Sequence, residues 1–120
     1  MTNYDTIYGE PLDSETLHKY LSVLVNRFFK ILPIREQESE SFAVYVKSLL
    51  SELLGCRGLV CVLDNDPDFA TLLFILQYLI EHDEIGIAEV RREVFRSISV
   101  CNKLKARYCT VSAKAVTEDE

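Results

Sequence analysis

The stretch Phe69–Ile80, FATLLFILQYLI, is apolar around the whole helical wheel except at Thr71 and Gln77. A surface helix of a soluble protein normally keeps a polar face, so we expect this one at the centre of a bundle or at a subunit interface. It is shorter than the roughly 20 residues that a membrane-spanning helix needs. We therefore predict a compact bundle in which other helices surround this segment and leave no room for a reactive cleft.

The residues on either side of this stretch set its ends. Asp66 is a good N-cap, Pro67 suits the first helical position, and Asp68 meets the positive end of the helix dipole. The helix is expected to end near His82, and residues 83–86 (DEIG) form a short connection to the next helix. These signals predict a helix that begins at residue 67.

Three further helices are predicted from apolar residues spaced by three and four. The first runs from residue 14 to about residue 32 and is ended by Pro33. The second runs from about residue 39 to residue 54, where Gly55 fits the left-handed position that stops a helix. The last begins near Ile87, and its apolar residues keep a seven-residue repeat to Tyr108, widened by Phe95 and Ile98.

The remaining segments carry weaker signals. Residues 1–12 are expected to form an irregular N-terminal arm, which Tyr4 and Tyr8 could pin to the body, and residues 117–120 a frayed acidic tail. Residues 56–63 (CRGLVCVL) fit a strand or a helical turn, and residues 108–116 are the one candidate partner for such a strand. We predict a single all-α domain over residues 1–120, a bundle of about four helices with room for a minor two-stranded β element.

Charge is unevenly distributed along the chain. The net charge is −6, but residues 91–107 carry +5 and leave −11 for the remainder. This basic helix could pack on the acidic connector that contains Glu36, Glu38 and Glu40, or it could bind an anionic partner. The candidate residues for binding an anionic partner are Arg91, Arg92, Arg96, Asn102, Lys103, Lys105 and Arg107.

Cysteine usage favours a reducing compartment. The chain has four cysteines and no C-x-x-C unit, so a zinc site is not expected. The N-terminus carries no apolar signal segment, so we expect a cytoplasmic protein with reduced thiols, no membrane association, and Cys101 packed in the apolar seam.

Catalytic and metal-binding motifs are not found. The acids at 64, 66 and 68 resemble a calcium loop in spacing, but its sixth and twelfth positions hold Phe69 and Ile75 instead of glycine and glutamate. Residues 81–84 (EHDE) are consecutive on a helix end and point in different directions. The two histidines, His18 and His82, belong to no recognised catalytic motif. We predict no enzymatic activity, no cofactor and no metal.

These observations favour a non-catalytic protein–protein interaction module, such as an adaptor, an inhibitor or an accessory subunit. The apolar seam of the last helix could pack on the central helix, which we favour. It could instead pair with a second copy or another protein, so a homodimer stays open.

The alternative is DNA binding. Residues Ile75–Val90 resemble the opening of bacterial winged-helix regulators, although the glycine expected after Val90, in the turn between the two helices that follow, is missing. The resemblance implies a support helix at Ile87–Phe95, a recognition helix at Ser97–Tyr108 and a wing strand at Thr110–Val116. Asn102, Lys103, Lys105 and Arg107 would then face the nucleic acid.

Overall fold

The predicted all-α bundle is confirmed, with a minor β element. The structure is a computed structural model, and it describes residues 3–37, 41–82 and 84–108. In chain order its elements are β1 (Asn3–Tyr4), β2 (Leu12–Asp13), α1 (Ser14–Phe29), α2 (Ile31–Glu36), α3 (Ser41–Leu59), α4 (Cys61–Asp64), α5 (Pro67–Glu81) and α6 (Ile87–Arg107).

The bundle is built by packing α1 on α6, α6 on α5 and α5 on α3. Each helix contributes an apolar stripe to one continuous core. The largest side chains that this core encloses are Phe28, Phe69, Leu17, Leu21, Leu24, Ile31, Leu49, Leu53, Leu63, Leu72, Leu76 and Leu79. Cys101 also lies in the core, as predicted. No helix in the described ranges has the combined length and apolar character that a membrane span requires.

Helix α5 begins as its sequence predicts but is not enclosed on every side. The Asp66 side chain accepts hydrogen bonds from the backbone N–H groups of Asp68 and Phe69, and Pro67 takes the first helical position. Phe69, Leu72 and Leu76 are buried, whereas 73% of Phe74 is exposed. The expectation of a helix surrounded on all sides is therefore wrong along this edge, because α3 and α6 flank α5 without covering the stripe that contains Phe74.

Pro33 does not end helical structure, which is a correction to the predicted boundary. Helix α1 ends at Phe29, Lys30 joins it to α2, and Pro33 is the third residue of α2. Proline is tolerated there because the first N–H groups of a helix have no partner within it. Helical structure is therefore interrupted at Lys30 but does not end at Pro33.

Gly55 also fails to stop its helix. Helix α3 continues to Leu59, and Gly9 is the one glycine with a positive φ in the described residues. Residues 56–59 are therefore helical, and Val60 and α4 follow them. The strand alternative for residues 56–63 is wrong except at Val60, which forms a single antiparallel bridge with Thr6.

The N-terminal arm is regular where it was expected to be irregular. Strands β1 and β2 pair antiparallel, and Gly9, with φ 85°, lies in the turn that joins them. The arm is held by a hydrogen bond from the Ile7 N–H to the Leu59 carbonyl, 2.9 Å long, and by an edge-to-face contact between Tyr4 and Tyr108. Tyr8, expected to help, is exposed. Of the strand partner proposed at 108–116, Tyr108 is the C-cap residue of α6. Residues 109–116 and the tail at 117–120 lie outside the described residues.

Helix α6 is a single continuous helix. It begins at Ile87 as predicted and ends at Arg107, with Val90, Val94, Ser97, Cys101 and Leu104 facing the core. The division into a support helix at 87–95 and a recognition helix at 97–108 is therefore wrong, because no turn separates the two segments. The wing strand of that interpretation lies outside the described residues.

Candidate partner-binding surface

The basic residues of α6 follow directly from how that helix packs. Its apolar stripe contacts α1 and α5, so residues on the opposite side face solvent. We call this side the outer face of α6 and define it by its exposed side chains Arg91, Arg92, Phe95, Arg96, Asn102 and Lys103. The segment from Arg91 to Lys103 is about 18 Å long at the 1.5 Å rise of an α-helix.

Arg91 connects the outer face to α2. Its Nη2 lies 3.6 Å from Oε2 of Glu36, and both side chains are about half exposed. An ion pair this exposed contributes about 0–1 kcal/mol. One contact of the predicted packing between the basic helix and the acidic connector is therefore present, while Glu38 and Glu40 lie outside the described residues.

Arg92 and Arg96 form ion pairs with acidic residues of their own helix. Arg96 Nη1 lies 3.3 Å from Oε1 of Glu93, and Arg92 Nη2 lies 3.1 Å from Oε2 of Glu89. The Glu93 side chain is 12% exposed, whereas both guanidinium groups are mostly exposed. Each arginine therefore keeps donors that face solvent and can bind a further carboxylate.

Two of the predicted basic residues do not belong to the outer face. Arg107 binds the carboxylates of Asp66 and Asp68 at the start of α5. Lys105 is partly buried and lies near Cys101. Burial raises the pKa of Cys101 to about 12, and the charge of Lys105 opposes this rise. The structure thus brings together Arg91, Arg92, Arg96, Asn102 and Lys103, and Lys103 makes no ion pair with any described residue.

Exposed aromatic side chains flank the basic residues, and sequence reasoning placed them in the core. Phe95 is 48% exposed and contacts Phe29 of α1 edge-to-face, with ring centroids 5.9 Å apart. Phe74 of α5 lies on the other flank and is 73% exposed. Phe95 lies one helical turn after Arg91 and Arg92. This spacing was the sequence signal that could have placed Phe95 on the same exposed side as the two arginines.

A cleft of about 430 Å³ separates α5 from α6 at this flank. Its walls are Phe74, Ile75 and Tyr78 on α5 and Glu93 and Arg96 on α6. It therefore combines an aromatic wall with a guanidinium group, an arrangement that fits an apolar side chain next to a carboxylate.

A hydrogen bond between α5 and α6 fixes the floor of this surface. The Tyr78 hydroxyl donates to Oε2 of Glu89 over 2.6 Å, and the His82 ring stacks on the Tyr78 ring. The hydrogen bond raises the pKa of Tyr78 and lowers the pKa of Glu89. This hydrogen bond thereby fixes the position of Tyr78 in the cleft wall.

The residues considered as metal ligands or catalytic groups lie in different surroundings in the described part of the chain. No group of three or more His, Cys, Asp or Glu side chains is arranged to hold a metal within residues 3–37, 41–82 and 84–108. Asp66 and Asp68, from the calcium-like spacing, are bound to Arg107. The His82 Nδ1 lies 3.1 Å from the Tyr78 carbonyl oxygen.

Comparisons of this chain with protein-family models, curated proteins and solved structures gave no match.

Proposed function

We propose that this chain is a non-catalytic interaction module that binds an acidic segment of another protein. The binding site is the outer face of α6 together with the cleft between α5 and α6. The observation that carries this proposal is the exposure of Phe74, which is 73% exposed although its neighbours Leu73 and Ile75 are buried. Burying one phenylalanine side chain contributes about 1.5–3 kcal/mol, so an exposed one beside a cleft favours a partner.

The residue types at this surface are those that dominate protein interfaces. Aromatic residues and arginine are enriched in the small set of side chains that contribute most of the binding free energy. Phe74, Tyr78 and Arg96 meet at the cleft, and Phe95 and Arg92 lie on the adjoining outer face. An apolar side chain of the partner would enter the cleft while its carboxylates bind the arginines.

Charge identifies the chemistry of the partner. The outer face presents Arg91, Arg92, Arg96 and Lys103, so an acidic segment is electrostatically complementary to it. A second copy fits less well, because a two-fold axis would place the same basic face against itself.

To test this proposal, displayed random helical peptides are selected for binding to the immobilised protein. Peptides recovered on the natural chain are expected to carry Asp or Glu three or four residues from an apolar residue. They are expected to bind the double variant Phe74→Ser, Arg96→Ser at least about tenfold more weakly, because the cleft loses the Phe74 ring and its guanidinium group.

The control removes one apolar and one cationic side chain from another face. Val44 and Lys47 are exposed on α3, so Val44→Ser with Lys47→Ser also removes one apolar side chain and one cation. This control is expected to bind the peptides like the natural chain. Selected peptides that bind the Phe74 and Arg96 variant equally well would contradict the proposal.

A further inference from the structure

A second cleft lies between α1 and α3 and shares no lining residue with the partner-binding surface. Its volume is about 300 Å³, and its walls are largely apolar, formed by Leu12, Leu17, Leu59 and Val60. Pockets for small molecules begin at about 300 Å³. A water molecule occupies about 30 Å³ of liquid, so this cleft has room for about ten non-hydrogen atoms.

One end of the cleft is polar. Tyr20, Glu52 and Cys56 line it, and the Tyr20 hydroxyl donates a hydrogen bond to Oε2 of Glu52 over 3.1 Å. Arg27 binds the other oxygen, Oε1 of Glu52, over 2.9 Å, but Arg27 is not part of the cleft lining. One side of the Glu52 carboxylate therefore faces the cleft, and its other side faces the Arg27 guanidinium group, which lies outside the cleft lining.

The polar end offers hydrogen-bond acceptors. Burial raises the pKa of Cys56 and of Tyr20, so both stay protonated at neutral pH. The Tyr20 proton is already donated to Glu52, which leaves lone pairs on the Tyr20 and Glu52 oxygens. A ligand group that donates a hydrogen bond complements this end, whereas a carboxylate would meet Glu52.

Gly55 leaves one part of the cleft wall without a side chain. A glycine inside a helix costs about 0.5–1 kcal/mol relative to alanine. Gly55 lies within α3 without a positive φ, and a Cβ atom built on it meets nothing within 4 Å. A side chain at position 55 would therefore extend into open space at the cleft wall.

We propose that the cleft between α1 and α3 binds a small, mostly apolar molecule that carries one hydrogen-bond donor, such as an aliphatic alcohol of about eight carbons. The chain of the ligand lies along Leu17, Gly55 and Leu59. Its hydroxyl donates to the acceptors of Tyr20 and Glu52. This inference does not depend on the proposed protein partner.

The first test uses 1-octanol as the probe and the amide NMR signals of residues 52–60 as the readout. Gly55→Leu is expected to weaken octanol binding by about tenfold or more, because the leucine side chain occupies the cleft. Gly58→Leu is the matched control: Gly58 lies in the same helix, has open space around its Cβ position and does not line the cleft. The control is expected to bind octanol like the natural chain.

The second test compares octanol with octanoate on the natural chain. Octanoate is expected to bind about tenfold more weakly, and Glu52→Gln is expected to narrow that difference because it removes the charge that repels a carboxylate. Saturable octanol binding that Gly55→Leu abolishes would support the proposal. Failure of octanol to shift these signals, equal weakening by both leucine variants, or tighter binding of octanoate would each overturn it.

Discussion

Arg107 Nη1 lies 2.8 Å from Oδ2 of Asp66, and this contact joins the last turn of α6 to the N-cap residue of α5. Its Nη2 lies 2.6 Å from Oδ2 of Asp68, and the Tyr108 hydroxyl donates a further hydrogen bond to Asp66. The Asp66 side chain is 2% exposed and also caps α5 through the N–H groups of Asp68 and Phe69. One carboxylate thus holds a helix start and a helix end together.

Replacing Asp66 by alanine is expected to lower the free energy of unfolding by about 2–4 kcal/mol. The change removes a helix cap worth about 1 kcal/mol and the charged hydrogen bonds to Arg107 and Tyr108. Asp66→Asn should cost about 1–2 kcal/mol, because asparagine is an equally good cap but carries no charge for Arg107. Urea denaturation followed by circular dichroism measures both values.

The control for this pair of variants is Asp64→Ala. Asp64 is exposed, and its carboxylate lies 3.9 Å from the Arg57 Nε. Exposed pairs of this kind contribute about 0–1 kcal/mol, so Asp64→Ala should change stability by less than about 1 kcal/mol. Equal losses for the alanine variants at 64 and 66 would show that the contacts of Asp66 with Arg107 and Tyr108 do not stabilise the fold.

Low pH should remove the contribution of Asp66 to the free energy of unfolding. Burial alone raises the pKa of Asp66, but hydrogen bonds from Tyr108, Arg107 and the backbone N–H groups outweigh it and hold the pKa below its ordinary value. A lowered folded-state pKa contributes stability that is present above about pH 4 and is lost as the pH falls through the folded-state pKa. The stability difference between the natural chain and Asp66→Asn should therefore be constant from neutral pH to about pH 5 and shrink below about pH 4.

Unfolding free energies measured from neutral pH down to the acid limit check this expectation. The other carboxylates titrate in both proteins, so the difference between the two curves isolates position 66. A difference that stays constant through the acid range would mean that the pKa of Asp66 is the same in the folded and unfolded chains.

Local signals predicted the start of α5 because caps and dipole charges act within one helical turn. The Asp66–Arg107 contact was out of reach, since 41 residues separate its partners and no local pattern encodes it. Basic residues on α6 were predicted as a group, and the sequence could not separate Arg107, which binds Asp66, from the arginines that face solvent.

Helical-wheel reasoning failed at Phe74 for a related reason. A wheel shows that a side chain is apolar but not how many neighbouring helices cover each side of the helix. Gly55 and Pro33 were predicted as helix ends from their usual positions, although both residues occur inside helices when the backbone N–H groups and dihedral angles allow it. Tertiary packing decided the exposure of Phe74, whereas the first-turn position of Pro33 in α2 decided that it is tolerated there.

Ser14 provides a second prediction on stability. Its Oγ is buried and has no hydrogen-bond partner among the described residues. A buried hydroxyl without a partner is unfavourable, and alanine has a higher helix propensity, so Ser14→Ala should raise the unfolding free energy by about 1 kcal/mol. Thermal and urea denaturation measure the change.

Ser48 is the matched control for Ser14. It is exposed on α3, so Ser48→Ala gains helix propensity alone and should stabilise the protein by less than about 0.5 kcal/mol. A loss of stability in Ser14→Ala would show that the hydroxyl has a partner in solution.

Two substitutions on α5 distinguish its exposed edge from its core face. Phe74→Ser should change the unfolding free energy by less than about 0.5 kcal/mol, because the Phe74 side chain is mostly exposed in the free chain. Leu76→Ala should cost about 2–5 kcal/mol, since Leu76 is fully buried and its truncation leaves a cavity. Urea denaturation of the two variants compares the positions directly. A large loss for Phe74→Ser would place Phe74 in a core contact and would remove the aromatic wall on which the proposed partner binding depends.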